Sequence, residues 1–442
     1  MLIGIDASRA TRALHTGTEA YSLHLIQALI EAGCDHRFRL YMPVPPAPGL
    51  LGVEQGVGSR EYGVGSREYG VGSRKYGVGS REYGVGSRKY GVGNRDYGAA
   101  SNLQPPAPSP QPPAPSPQSP APSPQLEVRI IPFPRLWTHL RLAWEVSRHP
   151  PDVLFIPAHV MPLVCPLPAA VTVHDLGYLH YPEAHRPLDR WYLDWTTRRH
   201  ARLAARVIAD SQATRADLMR YYGADPGRIA VVYPGRDEAL GRVNDPAAIA
   251  AVKARYGVSS AYLLCLGTLQ PRKNLVRLVE AFARLPSPAS GYQLVLAGKR
   301  GWLYDDLFAR VGSLGLSGRV LFPGYVADED KAALISGATA LVYPSLYEGF
   351  GLPVLEAMAC GTPVLTSNVS SLPEVAGDAA LLIDPLEVDA IAAGMAHLTA
   401  DADLRRSLVA KGYAQVRKFS WADAARQVLQ VLESLVQPST AG

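Results

Sequence analysis

Two carboxylates, Glu348 and Glu356, flank the run Gly349-Phe350-Gly351-Leu352-Pro353. Pro353 suits the first turn of a helix, where its missing N–H leaves nothing unsatisfied. Gly349 and Gly351 let a backbone come close to a ligand. N–H groups at such a helix start favour an anion such as a phosphate. Placed there, both glutamates can accept hydrogens from the hydroxyls of one polar ligand. An ordinary strand–loop–helix with an acid facing the helix dipole would carry the same pair, so the weight rests on GFG between them and Pro344-Ser345 ahead of them. Two acidic strings, Asp328-Glu329-Asp330 and Asp401-Ala402-Asp403, have the D-x-D form that can hold a cation. Both precede helical segments, where acids serve as caps, so no metal is expected. Arg198, Arg199, Arg202 and Arg206 form a patch of helical spacing. It reads as a solvated face, or as a contact for anionic lipid or a phosphorylated acceptor.

These residues need a scaffold, and the pattern around them supplies one. Strand-like runs fall at 2–6, 38–42, 128–132, 153–157, 170–174 and 206–210, with helix-like runs at 19–33 and 186–204. The alternation resumes with strands at 262–267, 292–298, 319–324, 340–345, 363–367 and 380–384, and helices at 274–285 and 304–315. Short apolar strands between helices predict α/β architecture with parallel sheets covered on both faces. Two doubly wound, Rossmann-like domains are expected, spanning 1–235 and 236–418, with a C-terminal helix in 419–442 packing back on the first domain. Ligands in such sheets lie beyond the C-terminal ends of the strands, here in a deep cleft between the domains.

Composition narrows the function classes. The chain has 442 residues, 47% of them apolar, and 44 basic against 39 acidic side chains, a net charge of +5. That is a globular composition without the strong basic stripe of a nucleic-acid binder. Cys34, Cys165, Cys265 and Cys360 form no CxxC pair, which argues against a disulfide framework or a zinc site and for a cytoplasmic protein. The first residues, MLIGIDASRA, do not read as a signal peptide. Residues 153–173 carry no charge but hold four prolines, and so read as two buried strands rather than a membrane span. Residues 53–125 stand apart: YGVGSR-type units repeat with a period of seven from Tyr62, and a PPAPSPQ tract follows from Pro105. Glycine-rich and proline-rich repeats without an apolar stripe read as a disordered loop and a stiff spacer inserted into the first domain.

EGFGLPVLE resembles the E-x7-E motif of glycosyltransferase family 4, the retaining sugar-nucleotide enzymes of the GT-B fold. The resemblance extends through LGTLQPRKNL (266–275), PGYVADEDKAALI (323–335), ATALVYPS (338–345), ACGTPVLTS (359–367) and SLPEVAGDAALLIDP (371–385). In the first half it rests more loosely on IGIDAS, TGTEAYSLHLI, VTVHDL and ADSQATRADL. It implies that Lys273, with Arg272 beside it, binds the donor diphosphate and stabilises the departing phosphate, as a fixed cation pair does. A solvated turn is the plainer role for that pair. Many members carry an arginine where Thr268 stands. Glu348 would hold the hydroxyls of the transferred sugar, and Glu356 the ribose. The backbone at Tyr325 and Val326 would meet the base. Gly349, Phe350 and Gly351 would offer N–H groups to sugar and phosphate. Gly17 and Thr18 resemble the small-residue loop that approaches phosphate or acceptor. His174 would contact the donor sugar near the reacting carbon, or else form a buried pair with the adjacent Asp175.

The resemblance implies a retaining, metal-independent transferase that needs no cofactor. It would move a hexose, with GDP-mannose the favoured donor, to a glycan or lipid-linked acceptor, with peripheral membrane contact at the inner face. A sugar-nucleotide epimerase on the same fold, or a non-catalytic sugar-nucleotide-binding scaffold, are the alternatives.

Overall fold

The computed structural model describes residues 1–11, 17–46, 125–158, 160–286, 291–301 and 305–436. Seven strands build the first sheet: β1 (Leu2–Asp6), β2 (Arg37–Met42), β3 (Gln125–Ile130), β4 (Val153–Ile156), β5 (Ala169–Val173), β6 (Arg206–Ala209) and β7 (Ile229–Val231). Six build the second: β8 (Tyr262–Leu266), β9 (Gln293–Ala297), β10 (Val320–Gly324), β11 (Ala340–Tyr343), β12 (Val364–Ser367) and β13 (Ala380–Ile383). All pairings are parallel, in the orders β3-β2-β1-β4-β5-β6-β7 and β10-β9-β8-β11-β12-β13. The expected pair of Rossmann-like units is therefore present. β4, β5, β8, β9 and β11 are buried along their whole length, as continuous runs such as VLFI and YLLCL require.

Sheet order fixes where ligands go. In the first sheet the winding reverses between β1 and β4, and in the second between β8 and β11. Loops leaving adjacent strands at such a reversal turn to opposite faces and open a crevice between them.

One helix joins the two halves. Trp421–Val436 buries Trp421, Ala424, Ala425, Val428, Leu429 and Leu432, a three-and-four spacing that makes one apolar stripe. The stripe joins the core made by β1, β2, β4 and the helix Gly17–Ala32. The chain thus crosses between the sheets twice, at Gly235–Arg236 and at Phe419–Trp421, and the Arg236 N–H donates to the Phe419 carbonyl at 3.4 Å. A Cβ on Gly235 would lie 2.2 Å from the Trp421 nitrogen, so only glycine fits where the crossings touch.

Several sequence expectations need correction. β7 was not foreseen, because IAV is short and runs straight into the crossing segment. Gln125 is the first residue of β3, so the segment counted as insert through 125 ends one residue earlier; the rest of that reading lies outside the described residues. Arg206 opens β6 rather than continuing the preceding helix, Pro187–Leu203. Asp401 caps its helix, its side chain accepting from the Leu404 N–H at 2.8 Å. Asp328, Glu329 and Asp330 do not cap theirs: Ala327 holds that position, and Asp330 is buried against Arg255 and Tyr256.

Candidate functional site

β8 leads through Gly267 to the tight turn Pro271–Lys273 and then Asn274 in the left-handed region, φ 60°. The Asn274 side-chain amide fixes that unusual backbone by donating to the Pro344 carbonyl at 3.1 Å and the Pro385 carbonyl at 2.6 Å. This ties the turn to the loop that follows β11, across the winding reversal of the second sheet. Glu348 stands in that second loop. Its Oε1 accepts from Lys273 Nζ at 2.7 Å, from the Tyr343 hydroxyl at 3.1 Å and from Ser345 Oγ. Its Oε2 accepts from Arg272 Nη1 at 3.2 Å. Arg272 also donates to the Tyr347 carbonyl at 2.7 Å and lies 3.8 Å from Asp175 of the first half.

The electrostatics follow from burial and pairing. Burial works against the Glu348 carboxylate, but Arg272, Lys273 and the Ser345 hydrogen bond outweigh it and hold the group below the usual carboxylate range. Burial likewise works against the Arg272 cation; Glu348 and Asp175 prevail and hold it above its ordinary value. Lys273 is pulled below its ordinary value by burial, with the neighbouring Arg272 adding to that. The outcome is a buried cluster in which Arg272 and Lys273 share Glu348 and Arg272 also faces Asp175.

Arg272, Lys273 and Glu348 are thus brought together, and Gly349 adjoins them. A Cβ on Gly349 would fall 2.0 Å from the His174 carbonyl oxygen, so the two halves touch here through bare backbone. Gly351 precedes the helix Leu352–Ala359 at φ 114°, with Pro353 in its first turn. The Phe350 ring turns away into an aromatic cluster with Tyr233 and Phe419, leaving its backbone at the loop. Glu356 does not share the cation cluster; it pairs with Lys331 at 2.6 Å. Thr268 packs where a Cβ on Gly301 would meet its methyl group. Val326 is buried, while Tyr325 is partly exposed and hydrogen-bonded to Asp328 at 3.1 Å. Gly17 and Thr18 open the helix Gly17–Ala32, the Thr18 carbonyl accepting from Ser22.

His174 follows β5 and meets Asp210, which follows β6: Nδ1 lies 2.6 Å from Asp210 Oδ2, and Nε2 lies 3.1 Å from the Pro157 carbonyl. Acceptors at both ring nitrogens suit an imidazolium. Burial opposes that charge, but Asp210 overcomes it and raises the histidine above its ordinary value. The parallel register Val173↔Ala209 already sets these two residues side by side, a signal present in the strand ends. Tyr343 and Ser345 were also missed as partners of Glu348; they lie at the end of the run ALVYPS.

Two further fastenings cross between the halves. Tyr347 reaches the first half, donating to Asp217 at 2.7 Å and stacking on His180 with ring centroids 4.4 Å apart. Glu374 accepts from the Gln212 and Ala213 N–H groups, both at 2.8 Å, and from the Tyr233 hydroxyl at 3.0 Å. At the reversal in the first sheet lies a cavity of about 630 Å³. It is lined by Asp6, Arg9, Phe133, Trp137, His139 and Tyr192, among others. Among the described residues no group of three or more His, Cys, Asp or Glu could hold a metal ion, and no helix is long and apolar enough to cross a membrane.

Comparison with known proteins finds two family matches: Glycosyl transferases group 1 over residues 253–415 and Glycosyltransferase Family 4 over residues 105–240. O-antigen chain mannosyltransferase B of Escherichia coli is 38% identical over 271 residues, covering 60% of this chain and 70% of that protein. The serotype-specific mannosyltransferase WbdA of Escherichia coli is 33% identical over 237 residues, 53% of this chain but only 29% of that longer protein. Among solved structures, Anabaena Alr3699/HepE in complex with UDP and glucose aligns at TM-score 0.66 with 18% identity, covering 98% of this chain and 99% of that one. WaaG, a glycosyltransferase involved in lipopolysaccharide biosynthesis, aligns at TM-score 0.63 with 15% identity over 100% of both. At that identity both support the fold.

Proposed function

We propose a donor, an acceptor side and a stereochemical course for a known class of enzyme, because this chain belongs to glycosyltransferase family 4 and is a glycosyltransferase. The donor is a nucleotide-diphosphate sugar, and its transferred residue is mannose, carried by GDP. The mannosyltransferase relatives support the sugar. The single observation that carries the site is the convergence of Arg272 and Lys273 on Glu348 at the winding reversal of the second sheet. A diphosphate brought there meets two buried cations whose present partners are Glu348 and, at 3.8 Å from Arg272, Asp175. Negative charge gathering on the leaving phosphate is met by donors already in place, which is where such sites gain most. Glu348, held ionised, is free to accept sugar hydroxyls with whatever lone pairs the cations leave.

The acceptor, a glycan or lipid-linked glycan, enters from the first half. The cavity at the β1/β4 reversal combines aromatic walls with Asp6, Arg9 and His139, the mixture of flat apolar faces and hydrogen-bonding groups that suits a sugar. Transfer proceeds on the face of the leaving group, with retention and with the departing phosphate taking the acceptor proton. No metal and no cofactor takes part, and the enzyme works on the cytoplasmic side, in peripheral contact with the membrane.

The test is direct. The purified full chain is offered GDP-mannose, UDP-glucose and UDP-N-acetylglucosamine with a mannose-terminated oligosaccharide, with and without EDTA. Product carrying a new α-linked mannose, formed from GDP-mannose at the same rate in chelator, is expected. Preference for a UDP-sugar, a β-linkage, or activity restored only by Mg²⁺ or Mn²⁺ would each reject the corresponding part.

A further inference from the structure

The cavity of about 630 Å³ at the β1/β4 reversal is selective in the kind of hydrogen bond it leaves open. Asp6 ends β1 and is 4% exposed, yet it lines the cavity. Its Oδ1 accepts from the Ser8 N–H at 3.0 Å, and its Oδ2 from the Thr138 hydroxyl at 3.3 Å. A carboxylate has about four lone-pair sites, so half of them stay open. The pairing it has falls short of its burial. Burial lifts Asp6 above its ordinary value, against the opposing pull of Ser8, Thr138 and Arg9. A carboxylate in that condition gains from each further donor brought to it.

The other lining groups show the same bias. Thr138 spends its hydroxyl hydrogen on Asp6, and Thr11 spends its own on the Ser8 carbonyl at 3.3 Å. The Trp137 indole N–H donates to the Ile131 carbonyl at 2.6 Å. Tyr192 shares a hydrogen bond of 2.8 Å with His139 Nε2. Whichever of the two donates, the phenol oxygen keeps a lone pair. Arg9 is the one permanent cation among the described lining residues, and its guanidinium faces the buried Glu19 at 3.5 Å. What remains is a set of acceptors on Asp6, Thr11, Thr138 and Tyr192, with a negative charge among them. The rings of Phe133 and Trp137 complete the wall.

A fully ionised phosphate brings acceptors and negative charge, so it satisfies none of these groups and Asp6 repels it. A neutral sugar brings hydroxyl hydrogens around its ring, and C–H faces that pack on aromatic walls. We propose that Asp6 and Tyr192 are specificity-determining residues that accept the hydroxyls of an uncharged glycan end and turn away a phosphorylated one. The phosphates of a lipid-linked acceptor then lie outside this cavity. The proposal deepens the acceptor reading above and rests on it.

The experiment reads binding, so it fails or succeeds separately from transfer. The full chain, alone and with GDP, is titrated with a methyl mannobioside and followed by saturation-transfer NMR. The same disaccharide phosphorylated on its terminal sugar, and its monodeoxy forms, are titrated alongside. The parent should bind the neutral disaccharide tighter than the phosphorylated one by about tenfold or more. Asp6→Asn should weaken the neutral disaccharide by about ten- to a hundredfold and narrow that preference. Tyr192→Phe should weaken it less. For each variant, one deoxy form that costs the parent affinity should cost the variant nothing further, a coupling that a merely structural loss does not produce. Circular dichroism checks folding, and if Asp6→Asn does not fold, Tyr192→Phe carries the coupling test by itself. Phosphorylated disaccharide bound as tightly as the neutral one overturns the proposal. So does a parent with no saturable binding of the neutral disaccharide, or folded variants that rank the deoxy forms as the parent does. A parent that gives any of these results while forming product from GDP-mannose leaves the transfer reaction standing. A parent that binds as expected but uses a UDP-sugar loses the donor reading alone.

Discussion

Lys273 sits where burial and charge disagree. The low-dielectric surroundings and Arg272 draw its proton affinity down, and Glu348 at 2.7 Å keeps the ammonium in place. Lys273→Ala should leave Glu348 with Arg272 as its only cation and remove one preorganised donor from the leaving phosphate. Single donors of this kind are worth about 10²–10³ in kcat, so turnover should fall by that range, checked with saturating donor. His174 offers a second test through pH. Its folded value is raised above the ordinary histidine value of about 6.5. Its stabilising share is therefore complete below that value and fades as pH rises through the folded one. Burial also raises Asp210, which acts in the same direction. Asp210→Asn should be destabilising chiefly at pH 5–6, with the gap to the parent narrowing by pH 8.5 in urea unfolding. An equal gap at both ends would mean that the imidazole is neutral throughout.

At the scale of elements, much was legible and the remainder had physical causes. Continuous apolar runs identified the central strands within a residue or two, because a strand buried on both faces has no alternation to misread. Gly349 and Gly351 were readable as close-approach positions, since nothing else tolerates a carbonyl at 2.0 Å or φ 114°. Pairing across the halves was not readable. Tyr347 with Asp217 and Glu374 with Gln212 join residues more than a hundred positions apart, and no local pattern encodes which acid meets which helix. The Glu374 fastening is specific enough to test. Ser211 already caps the helix Gln212–Tyr222 through the Thr214 N–H at 3.0 Å. Glu374 satisfies the two N–H groups before it, where a carboxylate also meets the helix dipole. Glu374→Ala should cost about 1–2 kcal/mol and speed amide exchange at Gln212 and Ala213. Unchanged exchange there would show that water replaces the carboxylate without loss.

Among the described residues two parallel sheets are joined by several contacts besides the Arg272–Asp175 pair. They include the backbone contact at Gly349, the side-chain fastenings of Tyr347 and Glu374, and the shared helix Trp421–Val436. In the first sheet, β2 and β3 pair in parallel, Arg37 opposite Gln125 and Met42 opposite Ile130. A chain leaving the end of β2 must return about 17–20 Å to the start of β3, and parallel neighbours need a connection of about a dozen residues. Replacing residues 53–124 by a Gly/Ser linker of about fifteen residues should preserve folding and change stability by about 1–2 kcal/mol. Replacing all of residues 43–124 by two residues, too short to return along the strand, should instead detach β3, visible as lost exchange protection along Gln125–Ile130. If the fifteen-residue version cannot fold, the repeats belong to the structure.

That parallel pairing sets a rule for how this stretch of chain can change over generations. A connection that must bridge a fixed gap has a floor on its length, while the cost of extra residues grows only with their logarithm. Seven-residue units can be gained almost freely and lost as freely, because the residues flanking the repeats already exceed the floor by themselves. Isolates of one lineage should therefore differ in repeat number, down to none at all, with no correlated change in either sheet.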